Sequence, residues 1–125
     1  MRWFTGSKVV HMGDLLFNGM FPYVDIDSGG SVAGLTRAAE QVLEWVDGEV
    51  TIVPGHGELA DRAALERFHA MLVDCQALVT EALAVGDDAN AMMANGLLDE
   101  YASWSWQFID TARFLDMLVR EAKGR

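Results

Sequence analysis

The chain has 125 residues, 51% of them hydrophobic and 10% aromatic, which is enough apolar material for one domain with one core and excludes a disordered chain. Nineteen acidic residues against nine basic ones give a net charge of −10, so nucleic acid and anionic membranes are disfavoured as partners. We therefore expect a single domain over residues 1–125. The absence of a signal-like or bilayer-spanning stretch and the single cysteine, Cys75, lead us to expect a cytoplasmic protein.

Two strands are predicted at the start of the chain. Residues 8–12 are short, apolar and β-branched at their centre, and they end at Gly13-Asp14. This pattern predicts a buried strand that runs into a loop. Residues 1–6 predict a preceding strand, with Gly6-Ser7 as the turn between the two.

A long loop and then a helix are predicted next. Residues 17–30 contain a proline and several glycines, and Asp25 and Asp27 in this loop are expected to bond nearby backbone amides rather than metal. Ser31 is a suitable N-cap and Gly48 a suitable stop for the helix. Its apolar stripe comprises Leu35, Ala38, Ala39, Val42, Leu43 and Val46. The glycines before Ser31 could hold an anion on backbone amides, but without a P-loop lysine they favour a tight helix entry.

Residues 50–53 predict a second buried strand, stopped by Pro54 because proline cannot donate to a ladder. Strand, helix and strand in this order predict a βαβ unit. Such a unit implies neighbouring parallel strands and a right-handed crossover.

The C-terminal half is predicted to be helical. A long helix starts at Asp61 and ends at Gly86, and a short one covers residues 89–94. The apolar stripe of the long helix comprises Leu65, Phe68, Leu72, Cys75, Val79 and Ala82. A final helix starts near Asp110, with Leu115, Leu118, Val119 and Ala122 on one side. The connection before it is rich in aromatic residues, namely Tyr101, Trp104, Trp106 and Phe108. They suit a core or interface, and the alternative is that Tyr101, Trp104 and Trp106 stack on the ring of a ligand.

Two metal-competent side chains, Asp14 and His56, each come directly after a predicted strand. The carboxyl ends of parallel strands meet at one edge of a sheet, where open α/β sheets bind ligands. A carboxylate and an imidazole suit zinc, iron or manganese. The alternative is that Asp14 caps a turn and His56 hydrogen-bonds in a loop, since a metal site normally takes three or four ligands.

The motifs around these two residues closely resemble the second half of metallo-β-lactamase-like hydrolases. The resemblance rests on their order and spacing, and it covers roughly residues 4–80. The motifs are Val9-Val10-His11-Met12-Gly13-Asp14-Leu15-Leu16-Phe17, Phe21-Pro22-Tyr23-Val24-Asp25, Asp27-Ser28-Gly29-Gly30-Ser31 and Ile52-Val53-Pro54-Gly55-His56-Gly57. By this resemblance Asp14 matches the metal-bridging aspartate of the family, and His56 matches its last histidine ligand.

The chain departs from the family where most metal ligands should be. The His-x-His-x-Asp-His cluster of the family is not present, and the other two histidines, His11 and His69, do not fall at ligand positions. Two-metal hydrolysis needs a water activated by both cations. We therefore expect a truncated hydrolase module without efficient activity alone. The alternatives are a hydrolase whose site is completed across an oligomer interface or by a separate N-terminal half, and a module that binds a small molecule or a protein.

The family fold is an αββα sandwich, and the resemblance implies that this chain supplies one half of it. We expect an α/β fold with a small sheet and helices on one face. The other sheet face is expected to be apolar and uncovered, formed by Val9, Val10, Ile52 and Val53. Because such a face is a liability in water, a homo-oligomer that covers it is expected.

Overall fold

The computed structural model describes the backbone of residues 2–4, 9–46 and 49–124, and their side chains except those of residues 2–4, 14, 15, 27 and 56. The predicted turn Gly6-Ser7 and helix stop Gly48 lie outside the described residues. Two compact units are formed, unit 1 by Met1–Gly19 with Ala33–Ala70 and unit 2 by Met20–Val32 with Met71–Arg125. The strands and helices are β1 (Arg2–Phe4), β2 (Val9–Phe17), α1 (Val32–Trp45), β3 (Thr51–His56), α2 (Arg62–Ala84), α3 (Ala89–Ala94) and α4 (Thr111–Ala122), with 3₁₀ helices at Ile26–Ser28 and Asp99–Trp104.

The sheet of unit 1 has the order β1-β2-β3. β1 pairs antiparallel with β2, and β2 pairs parallel with β3. The fold is therefore mixed α/β, and the predicted βαβ arrangement of neighbouring parallel strands separated by a helix is confirmed. No helix in the described parts of the chain is long and apolar enough to cross a bilayer.

β2 is longer than the sequence predicted. It was expected to end before Asp14, yet it continues to Phe17. Gly13 has a φ of 58°, and the register with β3 shifts on both sides of it. A glycine bulge of this kind lets the chain bend and pair again. The continuation is also favoured by burial, because Leu16 and Phe17 are almost completely inaccessible to solvent.

β3 likewise continues through Pro54 to His56, although Pro54 was predicted to stop it. Two features explain the difference. Pro54 lies opposite Gly13, where the register is irregular, and β3 is the last strand of the sheet, a place that tolerates a residue without an N–H group. The outer side of β3 is partly covered, because Ile52 and Ala60 exchange two backbone hydrogen bonds of 2.8 Å.

The expectation of one uncovered apolar sheet face is wrong for two of its four residues. Val10 and Ile52 are fully buried. Val9 and Val53 are only half-buried, and the alternating positions His11 and Thr51 are exposed. Because successive residues of a strand point to opposite faces, the four valine and isoleucine side chains cannot share one face. The less covered face is therefore smaller and more polar than expected.

α1 has the predicted apolar stripe, with Leu35, Ala39, Val42 and Val46 buried and Ala38 and Leu43 half-buried. The last carbonyl groups of α1 accept hydrogen bonds from a side chain of another helix. Arg62, at the start of α2, donates through Nη1 to the carbonyls of Leu43 and Val46, the latter at 2.7 Å. These carbonyls have no partner within the helix, and a cation is favourable at this end of the helix dipole.

The prediction for α2 is confirmed. The Asp61 carboxylate accepts a hydrogen bond of 2.8 Å from the Ala64 amide, as an N-cap does. Gly86 follows the last turn with a φ of 94° and donates to the carbonyl of Leu83. All six residues of the predicted apolar stripe are buried: Leu65, Phe68, Leu72, Cys75, Val79 and Ala82.

α3 has the predicted bounds, and α4 begins after Asp110, near which its start was predicted. The Asp110 carboxylate accepts a hydrogen bond from the Arg113 amide. The apolar side of α4 differs from the prediction at its end, because Ala122 lies in the last turn and is exposed. The buried residues of α4 are Phe114, Leu115, Met117, Leu118 and Val119.

Candidate functional site

Asp14 and His56 lie within β2 and β3, not directly after them as the sequence predicted. The two strands are hydrogen-bonded neighbours, with Gly13 paired to Pro54 and Phe17 paired to His56. Asp14 therefore directly follows the Gly13–Pro54 pair, and His56 is a member of the Phe17–His56 pair. The backbone brings both positions to the carboxyl-terminal parts of adjacent parallel strands. The side chains of Asp14 and His56 are not among those that the structure describes.

The backbone before Asp14 is shaped by Gly13. Its φ of 58° lies in the left-handed region, which residues with a Cβ rarely adopt. The bulge that results shifts the register between His11 and Phe17. Bulges are common beside active sites because they redirect the side chains that follow. The residue type at position 13 is thus part of what sets the position of Asp14.

The loop after His56 is packed against the end of β2. Gly57 has a φ of 95°, and a Cβ at this position would lie 2.8 Å from the Asn18 carbonyl oxygen and 3.1 Å from the Asn18 Cβ. Both the backbone conformation and the lack of space therefore require glycine. The glycine after His56 is needed for this close approach, and the backbone conformation beside His56 depends on it.

Asn18 completes this arrangement and was not identified from the sequence. Its side-chain Nδ2 donates a hydrogen bond of 3.0 Å to the Glu58 carbonyl. The bond joins the residue after β2 to the second residue after β3. Asparagine commonly bonds nearby backbone in turns, but this partner is 40 residues away in sequence. No local signal could have identified it.

The other two histidines do not extend the candidate site. His11 is exposed on β2. The Nε2 atom of His69, in α2, is buried without a hydrogen-bond partner among the described residues, and lies 3.9 Å from a carboxylate oxygen of Glu40. Among the side chains that the structure describes, which exclude those of Asp14 and His56, no three His, Cys, Asp or Glu residues are grouped as metal ligands would be.

Cys75 is a buried core residue, as predicted. Burial, and to a lesser extent the neighbouring carboxylates of Asp74 and Glu100, raise the pKa of its thiol to about 12. Tyr101 donates a hydrogen bond of 2.7 Å to Oδ2 of Asp74, and burial and this bond raise its pKa above the ordinary value. Because the thiolate is the nucleophilic form of cysteine, Cys75 is unsuited to covalent catalysis.

The entry to α1 is a tight turn rather than an anion site. The amide of Gly30 donates to the Asp25 carbonyl at 2.8 Å, and that of Gly29 donates to the Ile26 carbonyl at 3.2 Å. The amide of Val32 donates to a carboxylate oxygen of Glu121. The backbone amides that could hold an external anion are thus already bonded to the protein. Asp25 also accepts from the Ser28 amide, as predicted, while the Asp27 side chain lies outside the described residues.

The aromatic segment before α4 has a structural role in unit 2. Trp106 donates through Nε1 to the Phe21 carbonyl at 2.8 Å, and the Phe21 amide donates to the Trp104 carbonyl at 2.8 Å. The Phe21 ring stacks on Phe114 with a centroid distance of 4.5 Å. Two tryptophans therefore hold Phe21 in the core, while Phe108 stays exposed.

No model of a protein family matches the chain, and no curated protein matches it either.

Proposed function

We propose that the chain is a metallo-β-lactamase-like metal-binding module in which Asp14 and His56 each provide one ligand. The observation that carries this proposal is the parallel pairing of β2 with β3, in which Gly13 lies opposite Pro54 and Phe17 opposite His56. Adjacent parallel strands present their carboxyl ends at one edge of a sheet, which is a common ligand site. A carboxylate and an imidazole fit zinc first, and iron or manganese as alternatives.

The proposed module is not an efficient hydrolase by itself. A metal ion that activates water for hydrolysis is usually held by three protein ligands or more, and Asp14 and His56 amount to two. Neither His11 nor His69 supplies a third, because His11 lies three residues before Asp14 in the strand and His69 faces Glu40 in unit 1. We therefore propose that the remaining ligands come from another chain.

We propose that a second copy of the chain packs against the first and completes the fold. In this proposal the chain is half of an αββα sandwich, and two halves pack through the less covered sheet face. The half-buried Val9 and Val53 support the proposal because they offer apolar area, while the exposed His11 and Thr51 limit it. Light scattering at micromolar concentration is expected to give twice the mass of 13.7 kDa. A stable monomer would contradict the dimer and leave the metal-binding proposal intact.

The metal-binding proposal is tested by zinc titration of the purified chain. We expect one weak zinc site per chain, and at least a tenfold loss of affinity in Asp14→Asn and in His56→Gln. His11→Gln is the matched control, because His11 is an exposed histidine on the same strand as Asp14. Equal affinity in the wild type and both variants, or an equal loss in His11→Gln, would refute the assignment.

A hydrolase assay tests the second part of the proposal. The zinc-loaded chain is expected to cleave lactam, thioester, lactone and phosphodiester substrates no faster than zinc in buffer. A zinc-dependent turnover that is lost in His56→Gln would show that the chain completes its own active site.

We also propose that the protein acts in the cytoplasm. Cys75 is a free, buried cysteine, and cysteine usage of this kind suits a reducing compartment. Fractionation of cells that express the untagged protein tests this location.

A further inference from the structure

A cleft in unit 2 has no part in the proposed metal site. It has a volume of about 170 Å³ and lies between α4 and the loop that leads into the 3₁₀ helix Ile26–Ser28. The residues that matter for its chemistry are Tyr23, Asp25, Arg113, Asp116, Met117 and Arg120. All of them belong to unit 2. The volume is below the roughly 300 Å³ at which pockets for drug-sized ligands begin, so a ligand of this cleft is small.

The charges of the cleft are balanced, although the whole chain carries a net charge of −10. Asp25 and Asp116 provide two negative charges, and Arg113 and Arg120 provide two positive ones. Residues 113, 116 and 120 are spaced three and four apart on α4, which places them on one face of the helix. Arg120 and Asp116 form a long ion pair, with 4.0 Å between Nη1 and Oδ2. Opposite charges therefore line the same small space.

The guanidinium of Arg113 is held in position by two contacts. Its Nη1 donates a hydrogen bond of 2.8 Å to the Phe108 carbonyl, and its Cζ lies 5.5 Å from the centroid of the Tyr23 ring. This second distance is within the range of a cation–π contact. A guanidinium has five N–H donors, and no side-chain hydrogen bond of Arg113 other than that to Phe108 is found among the described residues. The remaining N–H groups of the Arg113 guanidinium can therefore donate to a ligand in the cleft.

We propose that this cleft binds a small zwitterion, namely an α-amino acid or a compound with the same pair of charges. A carboxylate on the ligand would accept from Arg113, and an ammonium group would face the carboxylates of Asp25 and Asp116. The arginines would attract a simple anion while the two carboxylates repel it, and the reverse holds for a simple cation, whereas a zwitterion can pair with both kinds of charge. Met117 is almost completely buried and provides an apolar wall, which favours an amino acid with an apolar side chain.

Titration calorimetry of the full 125-residue chain with L-leucine tests the proposal. We expect saturable binding of one molecule per chain. N-acetyl-L-leucine lacks the ammonium group and L-leucinamide lacks the carboxylate, so each is expected to bind at least tenfold more weakly. Equal binding of either analogue would overturn the assignment of a zwitterion. The absence of any heat of binding at about 10 mM, where a ligand with a Kd of about 1 mM would be detected, would overturn the site.

Two charge-removing variants locate the binding. Arg113→Gln and Asp116→Asn are each expected to weaken L-leucine binding at least tenfold. The matched controls are Arg37→Gln and Glu44→Gln, which remove an exposed charge of the same sign from α1 and should leave binding unchanged. Equal losses of L-leucine affinity in the control variants would show that the binding site is not this cleft. If a variant does not fold, the comparison of L-leucine with its two analogues on the wild-type protein provides the test. Unchanged L-leucine binding in Asp14→Asn is also expected, since the cleft does not depend on the metal site.

Discussion

The side-chain amide of Asn18 donates a hydrogen bond of 3.0 Å to the carbonyl of Glu58, and so joins the end of β2 to the loop that follows His56. The neighbouring Gly57 has no room for a side chain, because the Asn18 backbone lies against it. The conformation of the backbone after His56 is therefore set by an asparagine at the end of another strand.

Gly57→Ala is expected to destabilise the protein more than Gly86→Ala. The two glycines have almost the same φ, 95° and 94°, so both variants incur the strain of a left-handed residue, about 1–2 kcal/mol. A Cβ at Gly57 also meets the Asn18 backbone, whereas no atom lies within 4 Å of a Cβ at Gly86. We expect about twice the loss for Gly57→Ala, measured by urea unfolding. Equal losses in the two variants would show that the contact with Asn18 does not constrain the loop.

Arg62→Met is expected to lower the free energy of unfolding by about 1–2 kcal/mol, because the last carbonyls of α1 lose their donor. Arg62 bonds to Leu43 and Val46, while its pair with Glu66 is largely exposed and contributes little. Arg67→Met is the control, since Arg67 is exposed on the same helix and should change stability by less than about 0.5 kcal/mol. Denaturant titration of both variants provides the comparison, and the prediction fails if they lose the same amount.

His69→Leu is expected to stabilise the protein by about 1 kcal/mol at pH 8. The Nε2 atom of His69 is buried without a hydrogen-bond partner among the described residues, and a buried polar atom in this state costs free energy that an apolar side chain of similar size avoids. His11→Leu, at an exposed position, should have little effect. Thermal unfolding of both variants gives the result, and a lower Tm for His69→Leu would show that the contact with Glu40 is worth more than the burial costs.

The stability of the protein is expected to fall as the pH rises above 9. Cys75 ionises with a pKa of about 12 in the folded protein and 9.0 without the fold, so the unfolded chain releases this proton first. The stability linked to the thiol is complete below pH 9.0 and is lost as the pH rises towards 12, at no more than about 1.4 kcal/mol per pH unit.

Cys75→Ala is expected to show a smaller fall between pH 9 and pH 11 in urea unfolding. Some fall remains, because the pKa of Tyr101 is also raised. A variant that keeps the full pH dependence of the wild type would show that Cys75 does not cause it. A thiol reagent at pH 8 gives an independent measurement, since the buried thiol should react only after unfolding.

Local patterns in the sequence predicted most of the helices and the order of the elements. The stripe of α2, its start at Asp61 and the start of α4 near Asp110 depend on local features, and each was found where it was predicted. The strand ends were not predicted correctly, because the extension of β2 beyond Gly13 depends on pairing with β3 rather than on propensity. The hydrogen bonds from Arg62 to the end of α1 were not predicted for the same reason, since Arg62 comes from another helix.

The candidate site was predicted only at the level of the backbone. The alternation of strand and helix predicted that Asp14 and His56 follow neighbouring parallel strands, whereas both residues lie within these strands. The contact of Asn18 with Gly57 and Glu58 could not be predicted, because it joins residues about 40 positions apart through a turn whose geometry is not encoded locally. The cleft beside Tyr23 was also missed, since its residues come from two segments about 90 positions apart.

The hydrogen bond from Trp106 to Phe21 closes a loop of 85 residues, and this has a consequence for the order in which the protein forms. Unit 2 is assembled from residues 20–32 and 71–125, so residues 33–70, which belong to unit 1, lie between its two parts. During synthesis on the ribosome, Phe21 stays exposed until Trp106 has emerged. Contacts between such distant residues form slowly because the chain entropy lost in closing the loop must come first. We therefore expect unit 2 to form after unit 1, whose last residue is Ala70.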